Sequence, residues 1–156
     1  MKYKIVAVGK IKEQFYRDAV AEYVKRLSRF GKVEIVETDE CYFSGVPSPS
    51  DVARILQTEA KGILPKLEGF VFVLDVVGKQ ISSPQLAEAI VLAKQKHSTL
   101  TFVIGGSHGL DDSVKAAANE RVSFGKITLP HQLCRVVLAE QIYRAAMIET
   151  NGNYHK

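Results

Sequence analysis

Apolar and polar residues follow two rhythms along this chain, one of strands and one of helices, and the two take turns. The run Lys4-Ile5-Val6-Ala7-Val8, closed by Gly9, predicts a first strand. Over 13–29 the apolar positions Phe15, Ala19, Val20, Tyr23, Val24 and Leu27 recur at helical spacing, and Gly31 follows as a stop. Positions 33–36 predict a second strand. Ser48-Pro49-Ser50-Asp51 then opens a helix to about 64, with a serine cap, proline at the first position and a carboxylate two further on. A strongly apolar third strand covers 70–75 and ends near Gly78, and Ser83-Pro84 caps a helix to about 94. A fourth strand at 99–104, a short helix at 110–118, a fifth strand at 126–129 and a helix from 130 to about 150 complete the pattern.

Such alternation predicts an α/β fold, a parallel sheet with helices on both faces, built as a single domain over 1–156. Ligands of such sheets bind beyond the carboxyl ends of the strands, where Gly9, Gly78 and the pair Gly105-Gly106 fall. A single glycine there does no more than turn the chain, but a pair followed by Gly109 suggests bare backbone held open for a ligand. The dinucleotide fingerprint is absent, since the first strand-helix turn offers only Gly9, and a nicotinamide dehydrogenase is disfavoured. The stretch 38–47 predicts a long loop of open role.

The last helix is apolar nearly all round. Leu133, Val136, Val137, Leu138, Ala139, Ile142, Tyr143 and Ala146 leave only Arg135, Glu140, Gln141 and Arg144 as its polar remainder. It must be covered on two sides, by the sheet and either by another part of the chain or by a second protomer. A homodimer using this helix is the expectation. Glu140 and Arg144 are spaced to pair along the helix.

Composition narrows the class. The 156 residues are 46% hydrophobic and 24% charged, enough for a proper core without disorder. The apolar runs are too short for a signal peptide or a membrane span, so a cytoplasmic protein with no membrane partner is expected. Cys41 and Cys134 have no metal-ligand spacing and cannot make a disulfide framework, so no metal is expected. A net charge of +4, spread along the chain, is compatible with nucleic acid but does not require it.

Several segments, in order, resemble one family. Val103-Ile104-Gly105-Gly106-Ser107-His108-Gly109-Leu110, the stretch Ser123-Phe124-Gly125-Lys126-Ile127-Thr128-Leu129-Pro130-His131-Gln132-Leu133-Cys134-Arg135-Val136, the closing Tyr154-His155-Lys156 and the opening Ile5-Val6-Ala7-Val8-Gly9-Lys10 are similar to the large-subunit rRNA methyltransferase H family. Only residues 39–47 contribute nothing to the resemblance. The resemblance implies a SPOUT-class fold whose C-terminal segment threads into a trefoil knot. It implies a homodimer that uses S-adenosyl-L-methionine to methylate N3 of a pseudouridine in 23S rRNA, on the assembled 70S ribosome. The cofactor contacts it implies are Leu74, Gly105, Phe124, Gly125, Lys126, Ile127, Thr128 and Leu129.

The chemistry of those positions agrees with the transfer. Adenine needs a flat apolar slot edged by peptide donors and acceptors, which Leu74, Ile127 and Leu129 with their backbone supply, while Gly105 lets the main chain approach the ligand. Methyl transfer from a sulfonium is an in-line displacement that calls for alignment, a route for the N3 proton and no metal. Of the four histidines, His97 reads as surface, and His108 and His131 suit either ligand contact or loop hydrogen bonding. The resemblance places the tail at the substrate side. There Tyr154 has the chemistry to stack on a base, and His155 to orient the base or take its proton. Arg135 has the chemistry to bind phosphate or polarise the uracil ring. Two other classes stay open on the residues alone: a non-catalytic ribosome-associated protein of the same fold, and an α/β enzyme using a nucleotide or phosphate at the glycine edge.

Overall fold

The computed structural model describes residues 1–154. Its centre is a five-stranded parallel sheet in the order β2-β1-β4-β3-β5, from β1 (Lys2–Val8), β2 (Lys32–Thr38), β3 (Phe70–Gln80), β4 (Thr99–Ile104) and β5 (Glu120–Ser123). Parallel strands need crossovers, which the helices α1 (Gln14–Leu27), α2 (Pro49–Ile63), α3 (Ser83–Lys94) and α4 (Asp112–Ala116) supply, and α5 (His131–Glu149) follows the last strand. As expected, they cover both faces. On one side Tyr3, Ile5, Phe72, Leu100 and Phe102 pack against α1, α3 and α5. On the other, Val6, Val8, Val71, Val73 and Val103 meet α2 and the region of α4. Phe72 and Phe102 are fully buried and stacked with centroids 5.0 Å apart, each contributing about 2 kcal/mol or more through burial.

Local chemistry explains most boundaries. Ser48 and Asp51 close the expected capping box, the serine hydroxyl accepting the Asp51 N–H at 3.2 Å while Asp51 accepts the Ser48 N–H at 3.0 Å. At α3 the cap moves one residue, to Ser82, which makes the reciprocal pair with Gln85. The fifth strand is a larger correction. It lies at Glu120–Ser123, and residues 126–129, expected as strand, are loop. Only Val122 and Ser123 of β5 are buried, so the strand depends on pairing with β3 rather than on an apolar run.

That pairing has an unusual form. Leu74 and Lys79 both register with Val122, so the intervening residues bulge out of β3 before Gln80 pairs with Ser123. Gly78 is required there: a Cβ would come within 2.9 Å of the Arg121 carbonyl. Ser123 donates its hydroxyl to the Val76 carbonyl at 3.0 Å, tying the end of β5 into the bulge. Residues beyond β5 then run past this bulge before α5 returns to pack on α1 and α3, a course compatible with the expected knot.

Candidate functional site

The carboxyl ends of β4, β3 and β5 open into one cavity of about 880 Å³. Its walls come from three segments: the bulge at 75–77, the glycine loop at 105–110, and the loop 124–130 running into α5. Seven of the eight residues expected to contact cofactor line it, namely Leu74, Gly105, Phe124, Gly125, Ile127, Thr128 and Leu129. Lys126 is exposed and is not part of the wall. Ile127 is 81% exposed at the lip, an apolar side chain with little to cover it from within the chain.

The glycine loop is held by its own backbone. Gly106 and Gly109 form an antiparallel bridge, and the Gly109 N–H donates to the Gly106 carbonyl at 3.1 Å. A Cβ on Gly105 would stand 2.4 Å from the Gly109 oxygen, so the small residue is needed first to let the loop close on itself. That reason differs from the ligand approach expected from sequence. Gly125, with φ of 122°, makes a second such turn, and Ser123 braces it by accepting the Gly125 N–H at 3.2 Å.

Charges at the wall are mostly neutralised in pairs. Burial alone would push the Asp75 carboxyl up, but Arg121 at 2.6 Å, the Val77 N–H and Lys115 at 3.6 Å hold it below its ordinary value. Cys134 also lines the cavity, and burial pushes its thiol up to about 11, so it is a neutral apolar contact rather than a nucleophile. His108 and His131 both face the cavity, the first from the glycine loop and the second from the start of α5. Sequence reasoning missed the bulge and Cys134. Nothing in the run Asp75-Val76-Val77 signals that it leaves the strand, because the cause lies in β5.

Behind the glycine loop lies a second pair of carboxylates. Glu59, 5% exposed on α2, accepts the Cys41 N–H at 3.1 Å and lies against Gly106, where a Cβ would be 3.4 Å from its nearer oxygen. Burial pushes its carboxyl up, and the neighbouring Glu40 adds to the rise. Glu40 in turn accepts the Ser107 hydroxyl at 3.2 Å. The base of the 39–47 loop is thus fastened to the glycine loop through Glu40 and to α2 through Cys41.

Two of the three expected catalytic residues lie among the described residues. Arg135 is fully buried: it donates to Glu37 at 2.8 Å and to the Gly9 carbonyl at 2.9 Å, and only its Nε lacks a partner among the described residues. It joins the ends of β1 and β2 to α5. Tyr154 packs edge-on against Tyr143, donates to Glu140 at 3.2 Å and lies under the Arg144 guanidinium. These partners are more than one and a half turns along α5 from the cavity residue Cys134, about 9 Å or more. Tyr154 therefore does not reach the cavity of its own chain. Burial and hydrogen bonding to Tyr23 and Glu140 push its phenol up to about 12, so it is a neutral donor. His155 lies outside the described residues.

A glycine-edged cavity beyond the strand ends, closed by a loop that follows an edge strand, is the place where an α/β sheet of this kind holds a small ligand. Residues 1–155 match the family described as "Predicted SPOUT methyltransferase", and the chain belongs to that family. Among curated relatives, "Ribosomal RNA large subunit methyltransferase H" of Oenococcus oeni is 49% identical over 156 residues, covering 98% of each chain. The proteins of that name from Lactobacillus helveticus and Streptococcus pneumoniae are each 48% identical over the whole of both chains. The fold is shared with a probable methylase family protein of Haemophilus influenzae, at TM-score 0.54 and 11% identity over 99% of this chain and 70% of that one. It is shared too with the tRNA (m1G37) methyltransferase of Aquifex aeolicus, at TM-score 0.51 and 15% identity over 92% and 70%.

Proposed function

We propose that the protein transfers the methyl group of S-adenosyl-L-methionine to N3 of a pseudouridine in 23S rRNA, within the assembled ribosome and hence in the cytoplasm. The observation that carries this reading is the cavity itself, on which seven of the residues assigned to the cofactor converge in a chain whose close relatives bear an rRNA methyltransferase name. The volume suits a nucleoside with an amino-acid arm, and the wall offers what such a molecule needs. Leu74, Ile127 and Leu129 supply apolar faces for adenine, and the peptide groups of 125–129 supply donors and acceptors for its edge.

When bound, the sulfonium supplies an electrophilic methyl group and a neutral thioether leaving group. The chain's task is to hold the reacting atoms in line and to accept or pass on the N3 proton. Among the described residues, His108 and His131 are the imidazoles on the cavity wall suited to that proton. Arg135 acts from behind, fixing the angle between α5 and the ends of β1 and β2.

The working unit in this reading is a homodimer. On α5, Leu133, Val136 and Val137 are only partly covered by the rest of the chain, and Tyr154 is held far from its own cavity. Pairing through this helix covers the apolar residues and brings the tail of one protomer to the cavity of the other. A strain lacking the gene tests the function: mass mapping of its 23S rRNA should find one pseudouridine-containing fragment short of a methyl group, restored by the wild-type gene. An unchanged fragment map would rule the assignment out.

A further inference from the structure

The arm that follows β2 ends in exposed aromatic and aliphatic side chains that the cavity chemistry leaves unused. Tyr42 is 76% exposed, Val46 94% and Phe43 37%, although the base of the arm is fastened by Cys41 to Glu59 and by Glu40 to Ser107 of the cavity wall. Tyr42 is one residue beyond Cys41, so its backbone lies within about 4 Å of a point anchored to α2 beside Gly106. Beside it comes the turn after β1. Lys12 carries its ammonium 6.0 Å from the Tyr42 ring, Lys10 is exposed, and Phe15, 65% exposed, packs on Tyr16 with centroids 4.3 Å apart. Monomeric proteins seldom leave several large apolar residues together in water without a partner for them.

The residue types select the partner. Glu13 and Asp39 are exposed on the same two segments as the lysines, so the surface is not a block of like charge. Its distinctive feature is flat rings flanked by ammonium groups. A second protein surface would bury Lys10 and Lys12 along with the rings, at the cost of desolvating two charges. An unpaired nucleotide offers a π-face to each ring and a phosphate to each lysine. We propose that Tyr42 and Phe15, with Lys10 and Lys12, form a stacking platform for unpaired bases of the RNA substrate, beside the cavity into which the target base is delivered.

The inference rests on the rRNA reading above, and its test separates the two. Undermethylated 70S ribosomes are titrated with full-length wild type, Tyr42→Ala, Phe15→Ala and Tyr42→Trp, scoring co-sedimentation, methyl transfer, S-adenosylmethionine affinity and oligomeric state. Tyr42→Ala and Phe15→Ala should each weaken ribosome binding and raise KM for ribosomes about tenfold, with cofactor affinity and oligomeric state unchanged, and Tyr42→Trp should restore binding. Wild-type affinity in both alanine variants would overturn the platform. So would a change of oligomeric state, which would assign the surface to a second copy, or an absence of ribosome binding by the wild type. Binding lost in the alanine variants, with no methyl transfer even by wild type, would uphold the platform and sink the enzymatic reading.

Discussion

Two buried charged side chains set the local energetics of the site. Arg135 has lost its water and holds Glu37 and Gly9 in exchange, and Arg135→Ala should cost about 3 kcal/mol in a urea melt by leaving a cavity and the Gly9 carbonyl without its donor. An activity loss in that variant should follow the loss of folded protein. A variant as stable as wild type but inactive would instead return Arg135 to the chemistry. Glu59 makes the opposite case, because burial raises its carboxyl above the ordinary 4.5. A carboxyl with a raised pKa binds its proton more readily folded than unfolded, so it adds stability at low pH and loses it as pH rises from about 4.5 through the folded value. In Glu59→Gln, whose amide oxygen can still accept the Cys41 N–H, stability measured at about pH 5 and about pH 8 should lose part of that fall and equal or exceed wild type at the higher value. A steeper fall with pH in the variant would contradict the account. Neither residue was legible as such: an arginine within an apolar helix reads as its polar face, and no spacing in sequence announces that Glu59 faces Gly106.

At the scale of elements, the glycine loop is the piece most easily broken. Gly105→Ala forces a Cβ against the Gly109 carbonyl, and S-adenosylmethionine affinity measured by calorimetry should fall at least about tenfold as the loop reopens. Gly62→Ala is the control: it lies in α2 with its nearest neighbour 3.5 Å away, and it should be neutral or slightly stabilising with unchanged affinity. Equal affinity in both variants would remove the loop from the site. The loop was visible in the sequence as a glycine pair plus a third glycine, and β1, β4, α2 and α5 followed from period and caps. The stretch 126–129 was misread because Ile127 and Leu129 alternate with polar residues as a strand would, whereas their apolar side chains serve the cavity and its lip. β5 has only Val122 to mark it, and the β3 bulge exists because of β5. Elements specified by a distant partner leave little trace in their own residues.

For the whole molecule, the distance between Tyr154 and its own cavity gives the proposed dimer a functional role. Mixing Gly105→Ala, damaged in the cavity, with Tyr154→Ala, damaged in the tail, should give heterodimers with one intact composite site. Activity should recover to roughly a quarter of wild type when subunits exchange freely, as the statistics of pairing dictate. Mixtures no more active than their parents would place the tail in its own chain's site. The reaction is the central claim, and it is tested most directly by giving the purified protein methyl-labelled S-adenosylmethionine with undermodified 70S ribosomes or naked 23S rRNA. Nuclease digestion and mass spectrometry then locate the label. The account predicts label at N3 of one pseudouridine, in ribosomes and not in naked RNA. No label on either substrate, from protein that is folded and dimeric, would contradict it and leave a fold that binds the ribosome without modifying it.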